Sequence, residues 1–543
     1  MRATRRSILL LAAAWIAACL AAAACSDSTS ADTRVAATVH VSPDSVSMRI
    51  GHVLQMDAVA VDSTGDTLLL RPVTWASSDT TIVVVSATGL ATARHYGPVT
   101  ITATVDSIAG SAALRVLVPV TGIDVAPFGA TLVPGGGIQL TATLRGADGS
   151  VLSDRAIAWA SQTPAVAAVD ANNILVAGQV GSTSITASSE GVTSSGITYF
   201  VVQPTFVRLG AGEAAWHTCG VTAAGDAFCW GDNISGGLGN ATFTDSGTTR
   251  SGLSFPTQVG GLELATTVGG GAAFTCGVGG SPARAFCWGA GDEYKLGSGP
   301  FENRPFAFPV SGGLAARDVA VGHEHSCLLT TESLTYCWGN GLQSPTLVPG
   351  GLKFGTIVSG DAVSCGITAD STGYCWPVSS VGVASPSVVP GGLKLVALTL
   401  GSQHRCAITA DTLAYCLGQN ADGQLGDSTK TFRTSWVPVT GGHKWATLAA
   451  GADFTCGLTT AGAAYCWGGN VFGELGSNAP AGATTPTAVA GGLVFTQLVA
   501  GARHACGLST GGMAYCWGWN EYGQVGDGSK TNRFAPVRVA GQP

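Results

Sequence analysis

The stretch CGLTTAGAAYC, residues 456–466, decides the fold. If Thr460, Ala461 and Gly462 form a three-residue hairpin loop with Gly462 left-handed, Thr459 faces Ala463 and Leu458 faces Ala464. Cys456 then lies directly opposite Cys466. Directly opposed residues of an antiparallel pair have Cα atoms about 4.5 to 5.5 Å apart, inside the range a disulfide requires. The same pair recurs as Cys219 with Cys229, Cys276 with Cys287, Cys327 with Cys337, Cys365 with Cys375, Cys406 with Cys416 and Cys506 with Cys516. Six of the seven pairs are ten positions apart and the second is eleven apart, its extra residue falling in the turn GGSPAR. One disulfide per hairpin follows in an oxidising compartment, each closing a short loop and contributing about 2 to 3 kcal/mol. Zinc is the competing reading, but its short ligand spacing is missing and each pair would need two further ligands, so no metal is expected.

Outward from the pairs, the chain beyond residue 203 repeats with a period near 50. Each copy has an approach such as FTQLVAGARHAC, a turn, then AYCWGWN and often GQVG or GQLG. The Trp after the second cysteine (Trp230, Trp288, Trp338, Trp376, Trp467, Trp517) gives way to Leu417 in the fifth copy, and is read as blade packing before ligand stacking. His217, His325, His404 and His504 sit two before the first cysteine, where Phe274, Val363 and Phe454 stand in the other copies. A position filled by His or Phe is read as packing and not as a metal ring.

These residues resemble the regulator-of-chromosome-condensation repeat, over about residues 203–543. The resemblance implies a seven-bladed β-propeller, and seven copies match seven blades. How the ring is latched is open at this stage, because the last copy stops after FAPVRVAGQP while the first begins with TFVRLGAG.

Residues 35–118 and 119–202 carry a second repeat, alternating strands broken by turns at sandwich spacing. The first copy reads Gly51 before LQMDAVAV, VTWASSD around Trp75, VVVSATGLATA and VTITATV. The second reads Gly137 before IQLTATL, IAWASQT around Trp159, VAAVDANNILVAG and TSITASS. Both resemble the bacterial immunoglobulin-like group 2 domain, which implies stalk or adhesion modules, here spacers. Neither has a cysteine, so Trp75 and Trp159 are expected as buried core anchors held by packing alone.

The first 25 residues have a basic start (Arg2, Arg5, Arg6), an apolar run from Ser7 to Ala24, and then Cys25. AAAAC followed by SDSTSADT resembles a bacterial lipoprotein signal, with Cys25 lipidated and residues 26–34 a tether. Cys19 in IAAC is the alternative, although cleavage there leaves LAAAA at the mature N-terminus. Ordinary signal-peptidase cleavage and an uncleaved anchor are the others. The chain is expected to be exported and membrane-anchored, facing the periplasm or the cell exterior.

Composition bounds the rest. Of 543 residues 11% are charged, Gly numbers 77 and Met 4, the pattern of an all-β chain with tight turns. The formal charge of -7 is spread thinly without a Lys/Arg cluster, which excludes nucleic acid as an expected partner. No GxSxG, HExxH or P-loop is present, Asp453 and Glu474 read as solvated turn residues, and no catalytic residue or cofactor is expected. Nucleotide exchange on a nuclear GTPase, which the repeat resemblance also implies, is disfavoured for an exported chain without a basic patch. First cysteines are 57, 51, 38, 41, 50 and 50 residues apart, so blades three and four lack the GQLG segment and the loop after it. The surviving loops carry Phe301, Arg304, Phe306 and Phe308 in blade two, Phe432, Arg433 and Trp436 in blade five, and Arg533 and Phe534 in blade seven. Aromatics with Arg have the composition of interface anchors; the alternative is that they cover the blade beneath. The resulting expectation is a surface-tethered binding protein presenting propeller loops to a protein or glycan. The runner-up is a structural or adhesion component without a discrete ligand, ahead of an enzyme.

Overall fold

The computed structural model describes residues 33–242 and 252–543. Cys19 and Cys25 lie outside these residues. Among the described residues there is no α-helix, and strands account for nearly all regular structure.

Strict alternation builds the first sandwich. In Gly97–Val105 the residues Val99, Ile101, Ala103 and Val105 are buried while the intervening threonines face outward. This strand lies between Ile108–Val116 and Thr74–Ser77, with Ser45–Met48 parallel at the far edge. Thr38–Ser42, Asp57–Val61 and Thr67–Leu68 form another sheet, and Val53–Gln55, Leu90–Ala93 and Val83–Val85 a third. The second sandwich repeats the pairing: Gly181–Ser189 lies between Ile197–Val201 and Ala158–Ser161, with Thr131–Leu132 parallel to the end of Ile197–Val201.

The two tryptophans correct an expectation. Trp75 and Trp159 are only half-buried, packed against their cores from the side. The reason is register: each sits on an edge strand, opposite Ala103 and Ala187 respectively, and the Trp159 indole N–H reaches the Asn173 side chain at 2.9 Å. The central anchor of the second sandwich is Tyr199, fully buried, its hydroxyl donating to the Pro127 carbonyl at 2.7 Å. Burial pushes its phenol up to about 12.

From Phe206 onward seven sheets follow, each a meander of consecutive antiparallel strands. Blade six, Trp445–Ala450, Phe454–Thr459, Ala464–Gly468 and Ala483–Ala488, is representative. The hairpin has the anticipated form: Gly462 has φ +82°, Thr459 N–H bonds to Ala463 O at 2.9 Å, and Cys456 pairs with Cys466. The expected partners are joined in every blade. Cys219 is bonded to Cys229, Cys276 to Cys287, Cys327 to Cys337 and Cys365 to Cys375. Cys406 is bonded to Cys416, Cys456 to Cys466 and Cys506 to Cys516. The Cα atoms within these pairs are 4.0–4.1 Å apart. That is closer than the spacing expected from strand geometry alone.

The ring is latched without a shared strand. Each blade is made of strands that follow one another in sequence, so among the described residues no sheet mixes the propeller's first and last strands. Blade seven instead grips blade one through loop backbone, Phe206 N–H to Gly512 O and Ala502 N–H to Ala215 O at 2.9 Å, and through side chains. The Gln497 amide exchanges hydrogen bonds with Leu209 N and O at 2.8 and 3.0 Å, and Trp230 packs among Phe206, Leu508 and Val525. Val133, from the second sandwich, is fully buried in the same cluster.

Candidate functional site

An antiparallel four-stranded meander sends its loops to two faces. The cysteine hairpins and the links to the next blade occupy one; the loops from first to second strand and from third to fourth occupy the other. First strands of all seven blades line an axial channel of about 260 Å³. The second face surrounds one of its ends.

The first loop usually has the form Gly-X-X before the His/Phe/Val position, as in GHEHSC (322–327) and GARHAC (501–506); blade one lengthens it to GEAAWHTC (212–219). The glycine is a steric necessity: a Cβ at Gly501 or Gly451 would stand 2.1 Å from the His504 or Phe454 ring. The four histidines are more than packing, which corrects the sequence expectation. Each Nε2 meets a hydroxyl of the next blade: His217 with Thr275 at 2.6 Å, His325 with Ser364 at 2.7 Å, His404 with Thr455 at 2.8 Å and His504 with Thr218 at 2.6 Å. Burial pulls His217, His325 and His404 down to about 4 and His504 to about 3. They are neutral ties across the seams.

The third-to-fourth loop explains the GQLG segment. Asn233, Asn420, Asn470 and Asn520, three positions after the Trp or Leu, are buried and accept the N–H of Leu238, Leu425, Leu475 and Val525 at 2.9–3.0 Å. Three of the loops thus folded offer a carbonyl to the next blade's indole: Trp288, Trp467 and Trp517 donate to Gly237, Gln424 and Glu474 O at 2.9 Å. Trp338 donates likewise to Lys295 O of blade two, whose loop lacks the Asn. Glu474 is buried, its carboxylate accepting from Phe472 N at 2.7 Å, so it is not a solvated turn residue.

Two groups of side chains stand out on this face. One is aromatic and spans blades six, seven and one. Trp216 stacks on Tyr522 at 6.0 Å, Trp519 meets Trp216, Tyr522 and Phe472 at 5.2–5.9 Å, and Arg503 lies over the Phe472 ring at 5.1 Å. All five are half-buried. The other is ionisable. Glu213, buried, accepts from Ser402 Oγ at 3.2 Å, and burial pushes it up to about 7. His323 Nδ1 stands 3.1 Å from Glu324 and 3.8 Å from Asp361; its hydrogen bond to Glu324 raises it. No cluster with the makings of a metal site occurs among the described residues.

The aromatic and basic residues singled out from sequence are placed elsewhere. Arg304, Phe306 and Phe308 lie on the outermost strand Arg304–Pro309, Arg433 and Trp436 on Arg433–Pro438, and Arg533 and Phe534 on Arg533–Arg538. Only Phe301 and Phe432 are in loops, 59% and 55% exposed. Blades two, five and seven are not neighbours in the ring, so these residues do not form one patch. They also have local work. Trp436 donates to Pro390 O of blade four at 2.8 Å, Phe301 packs on Tyr294 at 4.0 Å, and Arg304 covers Phe308 at 4.6 Å. Arg433 and Arg533 are tied to Asp427 and Asp527 of their own loops. Trp216, Phe472, Trp519, Tyr522 and Arg503 carried a sequence signal: the positions of the first loop and those around Asn-X-X-Gly vary between copies, and in these blades they vary to rings and an arginine.

Residues 445–474 and 495–524 match a family model described as the regulator of chromosome condensation (RCC1) repeat, and residues 283–329 and 511–543 match another of that description. Residues 35–116 match the bacterial Ig-like domain (group 2). The chain thus carries an immunoglobulin-like domain of that group and RCC1 repeats in its C-terminal part. It is similar to ice-binding protein 1 of Shewanella frigidimarina (strain NCIMB 400), 30% identical over 161 residues, which are 29% of this chain and 18% of the relative. It is also similar to the mitochondrial RCC1 domain-containing protein RUG3 of Arabidopsis thaliana, 30% identical over 131 residues, 23% and 28% of the two chains. The matches therefore span less than a third of these curated relatives. Among solved structures, yeast RCC1 (Prp20) bound to Kap60 superposes with a TM-score of 0.52 at 19% identity, over 58% of this chain and 83% of that one. Human WBSCR16 does so with 0.51 at 18%, over 58% and 94%. These show the propeller fold.

Proposed function

We propose that this chain is a cell-envelope binding protein, tethered through a lipid on Cys25, spaced from the membrane by two immunoglobulin-like domains, and holding a protein ligand on the second face of its propeller. The RCC1 repeats and the relatives they match suggest a binding or interaction role. Seven disulfides and a bacterial immunoglobulin-like domain point to an extracytoplasmic protein. The observation that carries the choice of face is the ring cluster Trp216–Tyr522–Trp519–Phe472 with Arg503 beside it. It is contiguous across three blades, and Trp, Tyr and Arg are the residues that dominate interface energies. The edge-strand residues of blades two, five and seven lack that continuity.

The test is affinity capture from envelope extract and medium, with three forms of the chain: unaltered, Trp519→Ala with Tyr522→Ala, and Phe306→Ala with Trp436→Ala. The proposal expects one specific protein retained by the first and third forms and lost from the second. A partner lost only from the third form returns the site to the blade edges. Retention of a polysaccharide and no protein replaces the ligand class, and retention of nothing sinks the binding role.

A further inference from the structure

Four motif positions change together at one seam. Between blades five and six the set is complete: His404 meets Thr455 at 2.8 Å, Thr455 donates to Gln424 O at 2.9 Å, and Trp467 donates to the same carbonyl at 2.9 Å. Between blades four and five, Val363 stands in place of His, Arg405 in place of the hydroxyl, and Leu417 in place of Trp. The loop that would offer the carbonyl is absent, because Pro377 follows Trp376 and the strand Gly373–Ser379 turns directly into Gly382–Val383. A cleft of about 220 Å³ is left, lined by Val363, Ser402, Gln403, Arg405, Leu417 and Asp361.

Arg405 is half-buried there, and its guanidinium donates from Nη1 to Cys375 Sγ at 3.7 Å. Among the described residues no carboxylate lies within ion-pairing distance of it. A guanidinium is always charged and carries five donors, and one half-removed from water without a counter-charge is left with most of its donors unsatisfied by protein. The neighbouring Asp361 is 62% exposed and faces His323 Nδ1 at 3.8 Å. Arg matches carboxylate geometry bidentately. Leu417 and Val363 supply an apolar wall for a short hydrocarbon stem. The volume is below the roughly 300–1,000 Å³ of drug-sized pockets, which limits the occupant to a small group.

We propose that the cleft between blades four and five is a binding site for a carboxylate on a short aliphatic stem, held by Arg405 against Leu417. Such a group is either a free small dicarboxylate or a glutamate side chain. The purified full chain is titrated by calorimetry with three probes: glutarate, its neutral analogue glutaramide, and glutamate blocked at both main-chain ends. The site requires that a carboxylate bind with a Kd below about 10 mM, a free energy near 3 kcal/mol, and that glutaramide bind at least tenfold more weakly. Glutarate binding more tightly than blocked glutamate identifies a free small acid; the reverse identifies a side chain. Arg405→Gln is expected to weaken the carboxylate at least tenfold, and Asp361→Asn to strengthen it by removing a like charge. Leu417→Phe fills the cleft without adding an N–H and is expected to abolish binding while the chain stays folded, which guards against misreading an unfolded Arg405 variant. Equal binding of glutarate and glutaramide, no carboxylate binding by the unaltered chain, or full binding by Leu417→Phe overturns the assignment.

Discussion

The seam between blades five and six and the seam between blades four and five are built from the same repeat, yet one is filled and the other is open. At the first, an indole, a hydroxyl, an imidazole and a loop carbonyl satisfy one another inside a fully buried layer. At the second none of these four is present, and a cleft with an arginine takes their place. At this seam the four positions change together. The loop carbonyl is the usual partner of the indole, and an indole left without any acceptor costs about 1–3 kcal/mol as an unsatisfied buried donor. Leu417 is the answer to the shortened loop of blade four. Blade four's own Trp376 faces the equally shortened blade three, and there the indole N–H settles on Cys337 Sγ at 3.4 Å.

The strongest way to break this comparison is to empty both seams. Trp467→Ala removes a fully buried indole and is expected to cost about 3–5 kcal/mol, as large aromatic-to-alanine changes in cores do. Leu417→Ala borders space that is already open and is expected to cost about 2 kcal/mol, the lower end for its type. Denaturant unfolding with disulfides intact, followed by tryptophan fluorescence, measures both. Equal losses would mean that the seams are equally packed and that the cleft is not a real gap.

A second difference is chemical and responds to acid. Seams with a histidine hold it neutral, its folded pKa lowered by burial from 6.5 to about 4 for His404. The stability this contributes is complete above pH 6.5 and is lost as pH falls toward 4, because the unfolded imidazole takes up a proton that the folded one refuses. The seam between blades six and seven makes no such demand: it carries Phe454 opposite Ala505, both buried. Installing that pair as His404→Phe with Thr455→Ala is expected to remove about 2–3 kcal/mol of the loss between pH 6.5 and 4. Thermal melts across that window measure it. An unchanged acid slope would show that His404 is already charged in the folded chain.

Much of this was legible in the sequence, and the reasons differ by level. The hairpin, the disulfide register and the number of blades came from local spacing, which a backbone with few turn types leaves little freedom to alter. The roles of His217, His325, His404 and His504 were missed because each was compared with its own position in other copies and not with its partner in the next. His pairs with Thr275, Ser364, Thr455 and Thr218, while Phe454 goes with Ala505 and Val363 with Arg405; Phe274 with Ser326 is the exception, so the covariation present in the chain is partial. Trp75 and Trp159 were placed too deep because alternation gives the face of a strand and not whether the strand lies at an edge. The charged groups around the channel mouth, Glu213, His323, Glu324 and Asp361, lie one or two residues into the same loop of different blades, so only closing the ring brings them together.

The smallest effect concerns the arginines once read as interface anchors. Arg433 and Arg533 bond to Asp427 and Asp527, six residues back in their own loops, and to Thr429 and Ser529. Burial works against the charge on Asp427, but hydrogen bonds from Thr429 and Arg433 outweigh it and hold the carboxyl below its usual range. The same contest, with Ser529 and Arg533, lowers Asp527. Each arginine side chain is about one-third exposed, so water screens most of the attraction, and Arg433→Gln is expected to cost no more than about 1 kcal/mol. It should leave ligand capture unchanged, since the guanidinium faces its own loop. Blade four has neither this loop nor this arginine and still forms its sheet, which is the reason to expect a fastener whose removal loosens one turn. A loss of captured partner in Arg433→Gln, with stability intact, would return Arg433 to the interface and make the outer edge of blade five, beside the open seam, part of the binding surface.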